Sequence, residues 1–426
     1  MKLITFSTLG ANRGAPRLWL ESRRLDALGF VAGTPLQVTP GPAGLCITWA
    51  DVATANRVSL RRAAGRERPI IDLTGANLAG LVPYPEIKVS GSWGRLDITP
   101  TVRAAAIVSR LARSGPLRVL DVFAGGGTLT DAAAADPRFR VVAGVEIDPD
   151  FADEWQEKHP DADLYAGNLR SMSPAELPDC DIIAAGIPCT DHSTQGRAKK
   201  GLAGRPELGE AGDLFVPLLA LVADKMPAAV VFENVPNYGA SLAGACVTAG
   251  LRRLGYHVTE TTLRAREEWA EPTTRDRWLC VATLRPGFEL RAPGRPFEGT
   301  IARYLDKPDA AQDKADAERI AVSVAGLRRH NARHAAKGHG FALKVIDGSE
   351  DRCPVICKSY HKINSSGAMV STPWGPRLLR LAEVARLHGQ QILTPHFATG
   401  IAMAGQGVCT RIFREVFAQL GAHLTT

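Results

Sequence analysis

The first hundred residues carry short alternating apolar runs: Leu18-Trp19-Leu20, Leu36-Gln37-Val38, Leu45-Cys46-Ile47-Thr48-Trp49 and Ile87-Lys88-Val89. Alternation with period two marks half-buried strands, and Gly33, Pro35, Gly41-Pro42 and Gly91 punctuate them. Residues 1–98 therefore read as a β-rich module. No internal repeat and no low-complexity tract is evident. Near residue 100 the pattern changes. Val102, Ala105, Ala106, Ile107 and Leu111 recur at helical spacing and predict a helix over 101–113. Apolar runs of strand length then alternate with helical patterns. Strands are predicted at 118–123, 141–147, 181–186, 228–234 and 278–283, with helices between them, for example at 214–225 and 241–254. This alternation predicts an α/β fold, a doubly wound and mostly parallel sheet, over residues 99–284. From 285 to 372 the alternation stops. Helical periodicity returns at 381–387 and 411–420, within a closing segment 373–426.

Composition changes this picture little. Hydrophobic residues make up 45% and charged residues 22%, the profile of a soluble globular chain. No run of about 18 apolar residues is present, so no membrane span is expected. The N-terminus lacks the apolar core of a signal peptide, and a cytoplasmic protein is expected. The eight cysteines are scattered over a long chain and read as reduced thiols. The net charge of +7 permits a polyanionic partner without demanding one. Residues 1–98 hold twelve arginines and lysines against seven carboxylates, with Arg57, Arg61, Arg62, Arg66 and Arg68 grouped together.

The candidate chemistry lies in the alternating region. Asp121-Val122-Phe123-Ala124-Gly125-Gly126-Gly127-Thr128 follows the first strand and opens a helix. Glycines at such a turn let a ligand approach the backbone. Glu146, followed by Ile147, ends the second strand, where an acid suits a pair of ribose hydroxyls. Dinucleotide and S-adenosylmethionine folds share this arrangement. Pro188-Cys189 ends a third strand, at the start of a basic, glycine-bearing loop, 194–212. A thiol attacks as thiolate, so either its pKa is lowered or its substrate is activated. An inert buried cysteine is the competing reading. Glu233-Asn234-Val235 ends a fourth strand, and a buried carboxyl there can stay protonated and donate. Arg275 and Arg277, at alternate positions entering a fifth strand, are expected to point to one face and toward one anion or one active site. Residues 353–357 also read as a strand. Cys353, Cys357, His330 and His334 do not match a common zinc finger, and no metal is assigned.

In this order the motifs resemble the DNA cytosine carbon-5 methyltransferase family over roughly 115–284 and 375–420. The resemblance rests on Phe123, Gly125 and Gly127; Glu146; Gly167-Asn168; Pro188-Cys189; Glu233-Asn234-Val235; and Arg275 with Arg277. It continues in Arg377-Leu378-Leu379 with Glu383, Arg386 and Leu387, and in Gly405-Gln406-Gly407-Val408. The chain departs from the family pattern at Thr128, Asn168, Thr190, His192, Thr273 and Gln406.

The resemblance implies transfer of a methyl group from S-adenosylmethionine to carbon 5 of a cytosine flipped out of double-stranded DNA. It makes Cys189 the nucleophile and Glu233 the acid, with Arg275 and Arg277 holding the base and that carboxyl. The cofactor wall is then Phe123, Ala124, Gly125, Gly127, Glu146, Ile147, Asn168, Pro188, Gln406 and Val408. It implies a monomer, a target-recognition region at 285–372, and a cognate restriction endonuclease as a further partner. A tRNA cytosine methyltransferase and a non-catalytic DNA-binding relative are the alternatives it leaves open. Separately, 16–38 resembles the swapped-hairpin β modules of the AbrB/SymE type, several of which bind DNA; a solvated basic face on a structural module is the other reading.

Overall fold

The computed structural model describes residues 2–425 except 43, 53, 64–65, 191–205, 336–342 and 364–366. The chain divides into two compact units, Met1–Arg113 and Ser114–Thr426.

The first unit contains β1 (Leu3–Ser7), β2 (Gly10–Asn12), β3 (Ala15–Glu21), β4 (Leu36–Gly41), β5 (Gly44–Trp49), β6 (Ser59–Ala63), β7 (Arg66–Thr74), β8 (Ile87–Ser92) and β9 (Arg95–Pro100). They form two sheets, ordered β1-β8-β9-β5-β4 and β2-β3-β7-β6. The pairing at the centre of each sheet is symmetric. Leu18 faces Leu73 while Leu20 faces Ile71, and Leu45 faces Ile98 while Ile47 faces Leu96. A 3-10 turn follows each strand of the first pair: Arg23–Leu28, burying Leu25 and Leu28, and Ala76–Leu81, burying Leu78 and Leu81. The unit is therefore a duplicated strand–turn–hairpin related by an approximate two-fold axis. This corrects the expectation of no internal repeat. The halves share buried positions rather than residue identities. The link from turn to next strand is also shorter in the second half, Leu81 to Ile87 against Leu28 to Leu36. The buried leucines and isoleucines of both halves make one core. Helix α1 (Val102–Leu111) forms where predicted, its N-cap Thr101 Oγ1 accepting the Ala104 N–H at 3.1 Å, and it belongs to this unit.

The second unit is built on seven strands: β10 (Leu117–Val122), β11 (Phe139–Glu146), β12 (Asp163–Ala166), β13 (Ile182–Gly186), β14 (Ala229–Asn234), β15 (His257–Leu263) and β16 (Arg277–Thr283). Their order is β12-β11-β10-β13-β14-β16-β15. Pairings from β12 to β14 are parallel, and β16 runs antiparallel to both neighbours. The expected α/β sheet is thus mixed at one end. Its order reverses between β10 and β13, and ligands of such sheets bind outside the carboxyl ends of the strands at that point. Helices α2 (Thr128–Ala134), α3 (Pro149–Lys158), α4 (Phe215–Lys225) and α5 (Leu242–Arg253) alternate with the strands.

Residues 301–406 form a second core around a long helix, α6 (Ala310–Ala335), and a small sheet of β17 (Lys344–Ile346), β18 (Ala368–Val370) and β19 (Arg377–Leu378). Helices α7 (Leu381–His388) and α8 (Phe397–Gln406) close it. Arg377 and Arg380 tie α6 to α7: Arg377 pairs with Asp313 and Glu383 at 2.9 and 2.8 Å, and Arg380 pairs with Asp313 and Asp316 at 2.8 and 3.0 Å. Residues 354–357, expected in a strand, carry no ladder; only Cys353 bridges, to Thr273. Pro354 removes the donor that a strand would need there. The last helix, α9 (Thr410–Thr425), returns to the large sheet, where Phe417 meets Phe139 edge to face at 5.4 Å. Among the described residues no helix is long and apolar enough to cross a membrane.

Candidate active site

The turn between β10 and α2 bends through Phe123, Gly125 and Gly127, all at positive φ (59°, 56° and 83°). Glycine adopts this conformation at little steric cost, whereas Phe123 is held in it. Glu146, at the end of β11, fixes the turn. One carboxylate oxygen accepts the Gly125 N–H at 2.7 Å, and the other accepts the Ile147 and Asp148 N–H groups at 2.8 Å each. Lys158, buried on α3, donates to the Gly126 carbonyl at 2.7 Å and pairs with Asp131. Beneath the turn, the wholly buried Asp121 accepts from Thr130, whose hydroxyl in turn accepts from Trp155 Nε1 at 2.8 Å. Burial pushes the Asp121 carboxyl up to about 7.

Across the switch point, β13 and β14 end level, with Gly186 opposite Glu233. Ile187 N donates to the Glu233 carbonyl at 3.1 Å, which sets Pro188 and Cys189 beside the Glu233 side chain. A Cβ on Gly186 would lie 3.6 Å from Glu233 Oε2, so glycine leaves that carboxyl room. Arg277 Nε meets Glu233 Oε1 at 2.6 Å. Burial raises the Glu233 pKa; Arg277 and Arg275 oppose the shift without reversing it. Burial likewise raises the Cys189 thiol, with Arg277 pulling it down. The resting thiol is therefore protonated, and activation must come with the substrate.

Both halves open into one cavity of about 290 Å³. It is lined by Phe123, Ala124, Gly125, Glu146, Ile147, Asn168, Pro188, Cys189, Glu233, Arg277, Gln406 and Val408. Two of the expected site residues are absent from its wall. Gly127 caps α2 beneath the turn. Arg275 lies before β16 begins, so the alternation that would aim it with Arg277 does not apply. It is buried instead and donates to three carbonyls: Gly405 at 2.7 Å, Gly407 at 2.7 and 3.0 Å, and Ile356 at 3.2 Å. Arg275 is a clamp on the Gly405–Val408 wall rather than a group facing substrate. Phe151, Met403 and Lys358 also line the cavity and were not anticipated, and Thr128, the close of the glycine turn, joins them. No motif marks Phe151 or Lys358 in the sequence.

Two departures from the family pattern have visible consequences. A Cβ on Gly407 would come within 2.7 Å of Thr128, so the bulk added at Thr128 is matched by glycine opposite. Thr128 Oγ1 also accepts the Val408 N–H at 3.2 Å, joining turn to wall. Asn168 Oδ1 caps its own turn, accepting Arg170 N–H at 3.0 Å. Most of the basic loop expected at 194–212, and His192 with it, lies outside the described residues.

The donor set suits S-adenosylmethionine. A Cβ on Gly125 would have only Phe151 near it, at 4.0 Å, so the turn leaves open space above its backbone. Two carboxylate oxygens offer about four acceptor sites. Three are used within Glu146's own surroundings, and one remains for a ribose hydroxyl. The Asn168 amide adds a donor at the cavity wall.

A parallel sheet with one reversed strand, a glycine turn and a strand-end acid defines an S-adenosylmethionine-dependent methyltransferase fold. Solved structures agree. The chain aligns with the methyltransferase EhMeth of Entamoeba histolytica at TM-score 0.58 and 16% identity, over 72% of this chain and 98% of that one. It aligns with the Dnmt2 methyltransferase of S. pombe at TM-score 0.56 and 16% identity, over the same shares. The family model for C-5 cytosine-specific DNA methylases matches residues 117–391. The Type II methyltransferase M.NlaX of Neisseria lactamica is 27% identical over 320 residues, 72% of this chain and 97% of that protein. The Type II methyltransferase M.Bsp6I of Bacillus sp. is 29% identical over 312 residues, 70% of this chain and 97% of that protein. The chain belongs to the C-5 cytosine-specific DNA methylases and is a DNA cytosine methyltransferase.

Proposed function

We propose that the cavity receives a cytosine flipped out of duplex DNA beside S-adenosylmethionine, with Cys189 as nucleophile and Glu233 as acid. One observation carries this reading: Cys189, Glu233 and Arg277 line the same cavity as the glycine turn and Glu146. Glu146, Asn168 and the Phe123–Gly125 turn hold the cofactor, with Gln406 and Val408 on the facing wall. When bound, S-adenosylmethionine supplies an electrophilic methyl group.

The protein's part is proton and electron placement. Glu233, whose pKa burial raises, donates in its protonated form to ring nitrogen 3 and draws electrons from carbon 6. Cys189 gives up its proton to solvent as sulfur bonds to carbon 6. The ring then carries its nucleophilic electron pair at carbon 5, which is methylated. Solvent takes the carbon-5 proton, ring nitrogen 3 returns its proton to Glu233, and cleavage of the sulfur–carbon bond restores the aromatic ring and frees Cys189 as thiolate. Arg277 holds Glu233 in place and carries the charge left when that carboxyl has given its proton. A base inside a duplex stack cannot reach such a cavity, so flipping is required.

The same reading makes 285–372 the target-recognition region, gives residues 1–98 an accessory role in DNA affinity, and expects a monomer working beside a cognate endonuclease. Bisulfite sequencing of DNA from cells expressing the protein tests the activity, and covalent capture by DNA containing 5-fluorocytosine tests the adduct. Unmodified cytosines together with no captured complex defeat the proposal.

A further inference from the structure

Lys358 lines the cavity that holds Cys189, Glu233 and Arg277, and its side chain is exposed. Its backbone is fixed from several sides. Cys353 N donates to the Pro272 carbonyl at 2.7 Å, and Arg275 holds the Ile356 carbonyl at 3.2 Å. Ile356 and Tyr360, two residues before and after, are buried. Gly405 packs so tightly on the Cys357–Lys358 peptide that a Cβ there would come within 2.4 Å of it. A long cationic side chain thus projects from a backbone held by hydrogen bonds and close packing. Arg277 faces the same cavity but is held against Glu233 at 2.6 Å. The Lys358 ammonium has no carboxylate partner among the described residues.

The chemistry of a flipped nucleotide says what an unmatched cation at this place would meet. The ring enters the cavity, but its sugar-phosphate stays joined to the strand, so phosphate must remain at the rim. The base's own developing charge is already served by Glu233 and Arg277. An ammonium is a compact point charge suited to a phosphate oxygen and needs no bidentate geometry.

We propose that Lys358 is a DNA-binding residue that takes the backbone phosphate adjoining the flipped cytosine and so positions that nucleotide over Cys189. The inference rests on the flipped-cytosine reading above. In that reading Arg275 clamps the segment that carries Lys358, which links the residues leading into β16 to the grip on DNA.

The test uses the full chain and a duplex carrying a target site mapped by bisulfite sequencing. Lys358→Met is expected to raise the KM for DNA about tenfold, with kcat falling less than threefold and the KM for S-adenosylmethionine unmoved. Loss of one phosphate contact should also make the salt slope of log affinity shallower by about 0.9. Lys358→Arg should restore most of the affinity, which a role confined to packing would not predict. In the wild-type protein, a neutral methylphosphonate next to the target cytosine should weaken binding to the same extent, and should add nothing in Lys358→Met. An unchanged KM for DNA in Lys358→Met overturns the proposal, and so does a KM increase for S-adenosylmethionine alone, which would assign the cation to the cofactor's carboxylate. If the wild-type methylphosphonate has no effect, the proposal fails whatever the variant does. In each of these cases a wild-type enzyme that still methylates the site leaves the cytosine reading standing.

Discussion

Arginine serves the two units in opposite ways. In the N-terminal unit it lies at the surface and pairs with neighbouring carboxylates: Arg17 with Asp72 at 2.7 Å, Arg61 with Glu21 at 3.0 Å and Arg62 with Glu67 at 2.8 Å. Such exposed pairs are screened and contribute little to stability. In the catalytic unit Arg275 and Arg377 carry the guanidinium inside, although others, such as Arg319, stay exposed. Arg275 is 3% exposed and satisfies three carbonyls, and Arg377 is 3% exposed between two carboxylates. A charge there is costly to desolvate unless every donor is matched, so each buried arginine fixes the position of whatever it binds. One unit uses charge to meet solvent and the other uses it to hold geometry.

The strongest way to break this comparison is to attack the catalytic cavity where geometry becomes chemistry. Cys189→Ser should lower kcat by at least about a thousandfold, because the oxygen is a far weaker nucleophile toward carbon 6. Calorimetry should show S-adenosylmethionine affinity within a factor of two of wild type, since the cofactor wall is untouched. Near-normal turnover in the serine enzyme would remove the covalent mechanism.

The next effect concerns pH. The folded-state pKa of Asp121, about 7, lies above its ordinary value of 3.8. The folded state therefore binds the extra proton between those values. The stability that this carboxyl contributes is complete below about pH 4, is lost as pH rises toward 7, and is constant beyond. A tenfold change in proton affinity is worth about 1.4 kcal/mol, which bounds the loss at roughly 4 kcal/mol. Asp121→Asn cannot ionise, so urea unfolding should show a flatter dependence between pH 5 and 8 than in the wild type. Parallel curves for the two proteins would mean that Asp121 does not titrate in this range.

Arginine itself supplies the direct contrast. Arg275→Met strips buried carbonyls at Gly405, Gly407 and Ile356 of a charged donor, and should cost on the order of 3 kcal/mol in the unfolding of the catalytic unit. Arg61→Met, at the surface of the N-terminal unit, should leave the melting temperature unmoved. If the two substitutions were equally harmless, the clamp on the Gly405–Val408 wall would not be holding anything.

What could be read from the sequence follows the same division. Strands β13 and β14 fell within one residue of expectation because both are buried on two faces and appear as unbroken apolar runs. The edge strands β12, Asp-Leu-Tyr-Ala, and β15, His-Val-Thr-Glu-Thr-Thr-Leu, carry no such run and were not anticipated. That Cys189, Glu233 and Glu146 would meet at one cavity was legible because each sits at a strand end beside the switch point. Arg275 was misassigned because period-two reasoning holds only inside a strand, and β16 starts two residues later. Lys358 was illegible because a lysine in an irregular segment has no pattern until Arg275 and Gly405 are seen to fix its backbone. The duplication of the N-terminal unit was hidden for a related reason. Leucine, isoleucine and valine substitute freely at its buried positions, so only the strand pairing exposes the symmetry.

The mildest effect is also the sharpest test of the surface charges. If residues 1–98 add DNA affinity, a chain beginning at Ser114 should retain S-adenosylmethionine binding and some methylation at low salt, because the cavity is formed entirely by residues of the second unit. Its DNA affinity should fall. The basic group of Arg57, Arg61, Arg62, Arg66 and Arg68, counted as charges alone, would release about five counterions and steepen the salt slope by roughly 4.5. The pairings argue for much less. Arg61 and Arg68 both reach Glu21, and Arg62 reaches Glu67, so a phosphate must displace a carboxylate before it gains an arginine. Truncation should therefore make the slope shallower by only about 1 to 2. Glu21→Gln with Glu67→Gln in the full chain should then increase DNA affinity and steepen the slope, because the freed guanidiniums meet phosphate without competition. If the double substitution changes neither quantity and the truncated chain binds DNA as the full chain does, the duplicated unit does not contact DNA, and its arginines serve only to keep the unit's surface solvated.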